Sequence, residues 1–420
     1  MKIGFACLTV GVEGAGMRTC RKASATEENL KEIIQHNLQA TETIIRYSIE
    51  RGLKMYRMSS DLIPFGSDLI TNNLDWQELF KDQFQVIGQL IKEHNIRTSM
   101  HPGQYTVLNS PDENVVSRAI DDLEYHNKIM ESMGLDRTHK FIIHIGGVYG
   151  DKIAAKARFV ECYAKLSAAV KSRLIIENDD RLYTIKDVLE ISELTGAPVV
   201  YDNLHNTCNL SNEHRSDSYW IELAKQTWRK EDGPAKVHYS QQRLNGRQGA
   251  HTATIYLSPF MTYYKEVAPL EVDIMLEVKD KNLSAVKVHL ATAVSPNLQY
   301  LKDEWFLYKY TVFMHSPAIY EAIDRLLEET TEYPVSQFYE LIETALDQPL
   351  TIDQALIGFN YIWKIVAKRA TANERTTYKN TIAKFLIGEA SLKRVKSLIK
   401  RVAIKYSESE LLDSLFFEID

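Results

Sequence analysis

Between Lys2 and about residue 290 one pattern repeats eight times: a short run of β-branched or apolar residues, followed by a longer amphipathic stretch. Alternation of this kind leaves few solutions, because such strands are buried on both faces and need helices to cover them, which points to a parallel sheet. The strands are predicted to begin near Lys2, Leu53, Ile96, Lys140, Leu174, Pro198, Lys236 and Asp273. Helix starts fall between them. Ser24-Ala-Thr-Glu27 reads as a capping box, Asp75-Trp-Gln-Glu78 carries an acid at the same spacing, and Thr184 opens the helix after the fifth strand. Eight strand-helix units predict a TIM (β/α)8 barrel, in which functional side chains gather at the carboxyl ends of the strands.

From about residue 305 the strand signal stops and helical periodicity runs to the end, so the expected division is a barrel over 1–304 and a helical C-terminal extension over 305–420. Charge is segregated within that extension. Residues 316–353 hold nine acids against Arg325, whereas residues 361–405 hold twelve Lys or Arg against Glu374 and Glu389. The second block reads as a helical region with one basic face, either solvated or set against nucleic acid. Over the whole chain the formal charge is -6, which argues against a protein that coats nucleic acid indiscriminately. No stretch approaches the roughly 18 apolar residues of a membrane span. The apolar run Ile3 to Val10 is too short for a leader, so a cytoplasmic protein without membrane contact is expected. Cys7, Cys20, Cys162 and Cys208 are scattered, with no pair at metal-binding or disulfide-framework spacing.

The strand ends carry an unusual load. His101 ends the third strand, His144 lies in the fourth and Glu177 ends the fifth. Asp202 ends the sixth, His205 follows it, His238 lies in the seventh, His251 comes thirteen residues later and Glu277 belongs to the eighth. Residues two apart on a strand share a face, so Lys236, His238 and Ser240 project to one side of the seventh strand. Any one of these histidines alone would read as an ordinary hydrogen-bonded residue. Eight nitrogen and oxygen donors at one rim are another matter, because burying three carboxylates costs several kcal/mol each unless a cation compensates. Imidazole and carboxylate without thiolate suit Zn, Mn, Fe or Co, and eight donors exceed what one ion takes, so two or three ions are expected. His36, His94, His126 and His139 fall in helices or at the far end of the barrel and stand outside the set.

These residues and their surroundings resemble the UV damage endonuclease family. The matching strings are MYRMSSDLIPFGS (55–67), MHPGQYTVLNSP (100–111), FIIHIGGVYGDK (141–152), IIENDD (175–180), VVYDNLHN (199–206), KVHYSQQ (236–242) and GAH (249–251), and they cover about residues 1 to 290. The resemblance implies a DNA repair enzyme on a barrel of the xylose-isomerase-like and endonuclease-IV-like group. Such an enzyme nicks damaged double-stranded DNA immediately 5′ of pyrimidine dimers, 6-4 photoproducts and some other lesions, leaving 3′-hydroxyl and 5′-phosphate ends. It implies manganese as the usual metal, with Zn, Co or Mg as alternatives. By the same resemblance His101, His144, Glu177, Asp202, His205, His238, His251 and Glu277 are the metal ligands, and Gln104 and Tyr105 probe the duplex at the lesion. Glu177 and His238 are expected to be catalytic, together with Lys236. An ammonium beside the metals would repel them, so Lys236 should be neutral or carboxylated on its amine. Arg243 and Arg247, in a loop without acids, are expected to meet DNA phosphates. No obligate protein partner is implied. The competing reading is a metal-dependent sugar isomerase or epimerase, since one barrel supports many chemistries; a catalytically dead binding module is the third.

Overall fold

The computed structural model describes residues 1–419. Eight parallel strands close into a barrel in sequence order: β1 (Ile3–Ala6), β2 (Met55–Met58), β3 (Arg97–Met100), β4 (Lys140–His144), β5 (Leu174–Glu177), β6 (Val199–Asp202), β7 (Lys236–Tyr239) and β8 (Asp273–Leu276). β1 pairs with β8, which completes the ring. The helices on the outside are α1 (Glu27–Glu50), α2 (Trp76–Leu79), α3 (Lys81–Glu93), α4 (Glu113–Ser132), α5 (Lys152–Lys165), α6 (Ala168–Arg173), α7 (Ile185–Thr195), α8 (Asn203–Cys208), α9 (Asp217–Gln226), α10 (Leu257–Val267) and α11 (Asn282–Ala291). No helix among the described residues is long and apolar enough to cross a membrane.

Strand alternation sorts the interior into layers. At the amino-terminal ends Arg97 pairs with Asp273 at 2.8 Å and Lys140 pairs with Asp232. Above them Ala6, Met55 and Met275 form one apolar cluster, and Ile142, Ile175 and Val200 another. Two residues further along each strand come His144, Glu177 and Asp202, so the same alternation that buries the apolar layer lifts the polar one to the carboxyl rim. Outward-facing residues pack on helices. Tyr239 of β7 packs against Tyr263 and edge-to-face against Phe260 of α10, with ring centres 4.5 and 5.2 Å away. In α1, Leu30, Ile33, Ile34, Leu38, Ile44 and Ile45 line the buried stripe, and such side chains each contribute about 1.5–3 kcal/mol on full burial. Gly4 faces Met55 across β1 and β2, where a Cβ would run into the Met55 carbonyl.

Two of the three expected helix starts form as read. Asp75 accepts from the Glu78 N–H, and Thr184 with Asp187 makes a reciprocal capping box. At α1 the cap is Thr26, which accepts from the Asn29 N–H, while Ser24 ends a preceding 3-10 turn. Glu27 is then the first helical residue, and its carboxylate turns to Lys31 one turn ahead at 2.5 Å.

The chain forms two compact units, one of Met1–Ile255 with Pro259–His289 and one of Tyr256–Ser258 with Leu290–Asp420. The division expected at 304/305 falls inside α12 (Leu298–His315), which opens on an Asn297 cap that the periodicity alone does not mark. The second unit continues with α13 (Pro317–Glu329), α14 (Val335–Leu346), α15 (Ile352–Ala367), α16 (Ala372–Leu386), α17 (Leu392–Tyr406) and α18 (Ser409–Leu412). Its apolar centre includes Phe359, Ile362, Val395, Ile399 and Phe416.

Candidate metal centre

Glu177 ends β5 fully buried, at 1% exposure, and four imidazoles converge on it. Its Oε1 lies 2.8 Å from His238 Nδ1 and 3.6 Å from His205 Nδ1; its Oε2 lies 3.4 Å from His101 Nε2 and 3.9 Å from His144 Nε2. The register explains the meeting. His144 is the β-partner of Glu177, and Asp202 is the partner of His238, so neighbouring strands deliver their last inward residues to one level.

Two groups have donor atoms close enough together to share an ion: His101, His144 and Glu177, and Glu177, Asp202 and His238. Glu177 belongs to both. Four buried atoms of these residues lack a hydrogen-bond partner, namely His144 Nδ1, Glu177 Oε2, Asp202 Oδ2 and His238 Nε2. An unsatisfied buried polar atom costs about 1–3 kcal/mol, and more when charged, so several at one spot call for a common partner. Oxygen and imidazole nitrogen donors around a carboxylate pair fit a divalent cation.

Hydrogen bonds fix which ring nitrogens are free to ligate. His101 Nδ1 donates to the Pro102 carbonyl at 3.0 Å and His205 Nδ1 to the Asn178 carbonyl at 3.0 Å. His238 Nδ1 faces two carboxylates, Glu177 at 2.8 Å and Glu277 at 3.2 Å, and therefore carries the proton. In the neutral form of each ring the Nε2 lone pair is left over, the arrangement by which outer partners orient metal-binding histidines.

Charge and burial act against each other here. Burial alone would raise Glu177, but His238 and His144 outweigh it and hold the carboxyl well below its ordinary range. Burial pushes Asp202 up to about 7, with Glu177 and Glu277 adding to the rise and His205 opposing it. Burial disfavours the charged His205, yet Asp202, Glu177 and Glu277 carry it up to about 9. Lys236, at 2% exposure on the inward face of β7, is driven far below the usual lysine range by burial first and by Arg97 and Arg57 next.

The remaining expected residues fall around this cluster at different depths. Glu277 follows β8 instead of lying within it, held by its N–H to the Tyr239 carbonyl at 2.9 Å. It is ion-paired with Arg57. His205 is the third residue of α8, whose cap is Asp202. His251 is half-buried, bridged to Gln242, and belongs to neither three-residue group. Gln104 and Tyr105 are exposed on the β3–α4 loop, with Tyr105 82% accessible. That loop is a ridge between two clefts. One of about 280 Å³ is lined by His101, Gln104, His144 and Asp180, and the other, of about 700 Å³, by Tyr105, Tyr125 and Tyr149. Arg243 and Arg247 are exposed in the loop closed by the Gln242–His251 bridge.

Three supporting residues escaped the sequence reading. Arg57 sits two residues beyond Met55 on the inward face of β2, so strand alternation would have placed it at the rim. Ser60 donates to the His101 carbonyl at 2.6 Å and is backed by His126 Nε2 at 3.0 Å. Asn178 accepts from the Asp202 N–H at 2.9 Å and offers its own carbonyl to His205. The last two are loop contacts with no period or spacing to announce them.

Residues 1–300 match the family described as UV-endonuclease UvdE, and residues 309–419 match a family described as a protein of unknown function, DUF1722. A UV DNA damage endonuclease of Clostridium perfringens (strain 13 / Type A) is 36% identical over 412 residues, 96% of this chain and 96% of that one. A UV DNA damage endonuclease of Bacillus cereus (strain Q1) is 33% identical over 264 residues, 62% of this chain and 82% of the other. Among solved structures, the crystal structure of SacUVDE superposes with a TM-score of 0.65 at 36% identity, covering 69% of this chain and 96% of that one.

Proposed function

The chain belongs to the UV-endonuclease UvdE family, and on that premise we propose that it nicks duplex DNA immediately 5′ of UV photoproducts and some other distorting lesions by metal-activated hydrolysis. The products are a 3′-hydroxyl and a 5′-phosphate. The observation that carries this reading is Glu177, a buried carboxylate shared by two donor groups whose free ligand atoms have no other partner. Two or three divalent ions, manganese first among them, supply Lewis-acid chemistry when bound: they acidify water and neutralise charge on a phosphate under attack.

The protein's own groups set the stage for that chemistry. His101, His144 and Glu177 would hold one ion and Glu177, Asp202 and His238 a second, with His205, Glu277 and His251 as further ligands. Arg57 anchors Glu277, which fixes the proton on His238 Nδ1 and keeps Nε2 available. Lys236 is neutral or carboxylated, the latter by its free amine taking up CO2 and releasing a proton, which replaces a repelling cation with a further carboxylate. Gln104 and Tyr105, on the exposed ridge, probe the duplex at the lesion, where a damaged pair is cheaper to unstack than a sound one. Arg243 and Arg247 contact phosphates.

Incubating the metal-loaded protein with UV-irradiated and untreated supercoiled plasmid in manganese tests the proposal. Nicks confined to the irradiated plasmid, with ends that a polymerase extends directly, are expected. Intact irradiated plasmid alongside turnover of a ketose would overturn it in favour of the isomerase or epimerase reading.

A further inference from the structure

The segregated charge of the C-terminal unit is not absorbed by the metal centre. In α17 the apolar positions Leu392, Val395, Leu398, Ile399, Val402 and Ala403 recur at three- and four-residue spacing and are buried or half-buried. At 100° per residue this leaves a single opposite face, which carries Lys393, Arg394, Ser397, Lys400, Arg401 and Lys405 and no acid. α16 packs on α17 and exposes Arg375, Lys379 and Lys384. Some of these cations are spoken for: Lys400 pairs with Glu418 at 2.8 Å and Lys405 with Glu374 at 2.7 Å. Among the described residues Arg375, Lys379, Lys384, Lys393, Arg394 and Arg401 have no carboxylate partner.

The acids of residues 316–353 lie outside α16 and α17, which between them carry Glu374 alone. Glu321, Asp324, Glu328 and Glu329 lie on α13, and Glu340 and Glu343 on α14. Those two helices pack on each other and on α12, whereas α16 and α17 pack on each other and on α15. A chain that needed only solubility would intersperse the two signs; concentrating unpaired cations on one helix pair builds a local positive potential inside a protein of net charge -6. Exposed Lys and Arg without carboxylate partners, spread along two neighbouring helices, complement an extended polyanion.

We propose that the exposed faces of α16 and α17 form a second DNA-binding surface, one that grips the phosphate backbone of duplex DNA without regard to sequence or damage. It raises the time the enzyme spends on DNA. The choice of duplex DNA as the polyanion rests on the endonuclease reading; the surface itself does not.

The test uses the full-length chain. Binding to an undamaged duplex is measured in chelator at several salt concentrations, for wild type and for Lys379→Ala/Lys384→Ala/Arg394→Ala/Arg401→Ala. Each lost phosphate contact should lower the slope of log affinity against log salt by about 0.9, so a fall of about two to four and at least a tenfold loss of affinity near 0.1 M salt are expected. Incision of irradiated plasmid should show a raised KM and an unchanged kcat. The charge-conserving Lys379→Arg/Lys384→Arg/Arg394→Lys/Arg401→Lys protein should bind as wild type does, and should the quadruple alanine protein lose helicity, Lys384→Ala and Arg401→Ala singly should each lower the slope by up to about 0.9. An unchanged slope in the folded alanine variants overturns the proposal, and if those variants lose binding to anionic phospholipid vesicles instead, the face belongs to a membrane surface. A wild-type protein that binds DNA through these cations in chelator but never nicks would refute the endonuclease reading while leaving this surface standing.

Discussion

Replacing Glu177 by Gln removes one charge from the centre of the site and almost no volume. In the free protein the amide is well accommodated. Its carbonyl can still accept from His238 Nδ1, where the carboxylate stands at 2.8 Å, and its NH2 meets His101 Nε2, where the other oxygen stands at 3.4 Å. The cost is the difference between a hydrogen bond to a charged and to a neutral acceptor, about 1 kcal/mol, offset in part because an amide is cheaper to bury than a carboxylate. At about 2–4 °C per kcal/mol for a unit of this size, unfolding followed by circular dichroism should shift by only a few degrees. Metal binding should suffer far more. The NH2 donates into the lone pair on His101 that a cation needs, and because Glu177 is common to both donor groups, one substitution damages both. A loss of about 4 kcal/mol of transition-state stabilisation corresponds to roughly a thousandfold fall in incision. Metal content by elemental analysis and nicking of irradiated plasmid are read on the same preparation. A folded Glu177→Gln protein that keeps its full metal content and nicks within tenfold of wild type would refute the assignment of Glu177 as the shared ligand.

Ligation requires Asp202 ionised and His205 neutral, but burial pushes Asp202 up to about 7 and the neighbouring carboxylates carry His205 up to about 9. Both protons must therefore leave, so metal affinity should climb between pH 6 and 9, with about one proton or more released per loaded site near pH 7.5 in calorimetry across buffers of unlike ionisation heat; a flat affinity with no proton release would count against it. Gln104→Ala/Tyr105→Ala should keep its metal while losing about 1–3 kcal/mol of affinity on damaged duplex only, the worth of one stacked ring. Equal activity on every lesion would leave that ridge with a supporting role for His101. Arg243→Ala/Arg247→Ala should weaken binding on all duplexes and lower the salt slope by about one to two; an unchanged slope removes the phosphate role. Native intact-mass measurement of wild type and of Lys236→Arg should show an added CO2 on the former alone if Lys236 is carboxylated.

The barrel was legible from the chain because its causes are local and periodic. Short apolar strands followed by amphipathic helices recur eight times, and alternation along KVHYS or PVVYD is enough to say which residues face inward and which strand end each terminates. The list of candidate ligands came from the same regularity, read together with the family likeness. Sequence also showed the opposed charge blocks of the C-terminal unit, since sign is a property of composition. What it did not contain is the relative height of the strands. The pairings of His144 with Glu177 and of Asp202 with His238 put Glu177 at the junction of two donor groups and leave His251 outside both. Those positions depend on how far each strand is staggered against its neighbour, and a stagger of one residue exchanges inward for outward. Arg57 against Glu277, Ser60 under His101 and Asn178 beside His205 belong to the same class. Each joins segments that are distant in the chain, so the geometry that sets ring tautomers and leaves ligand atoms free arises only when the ring of strands closes.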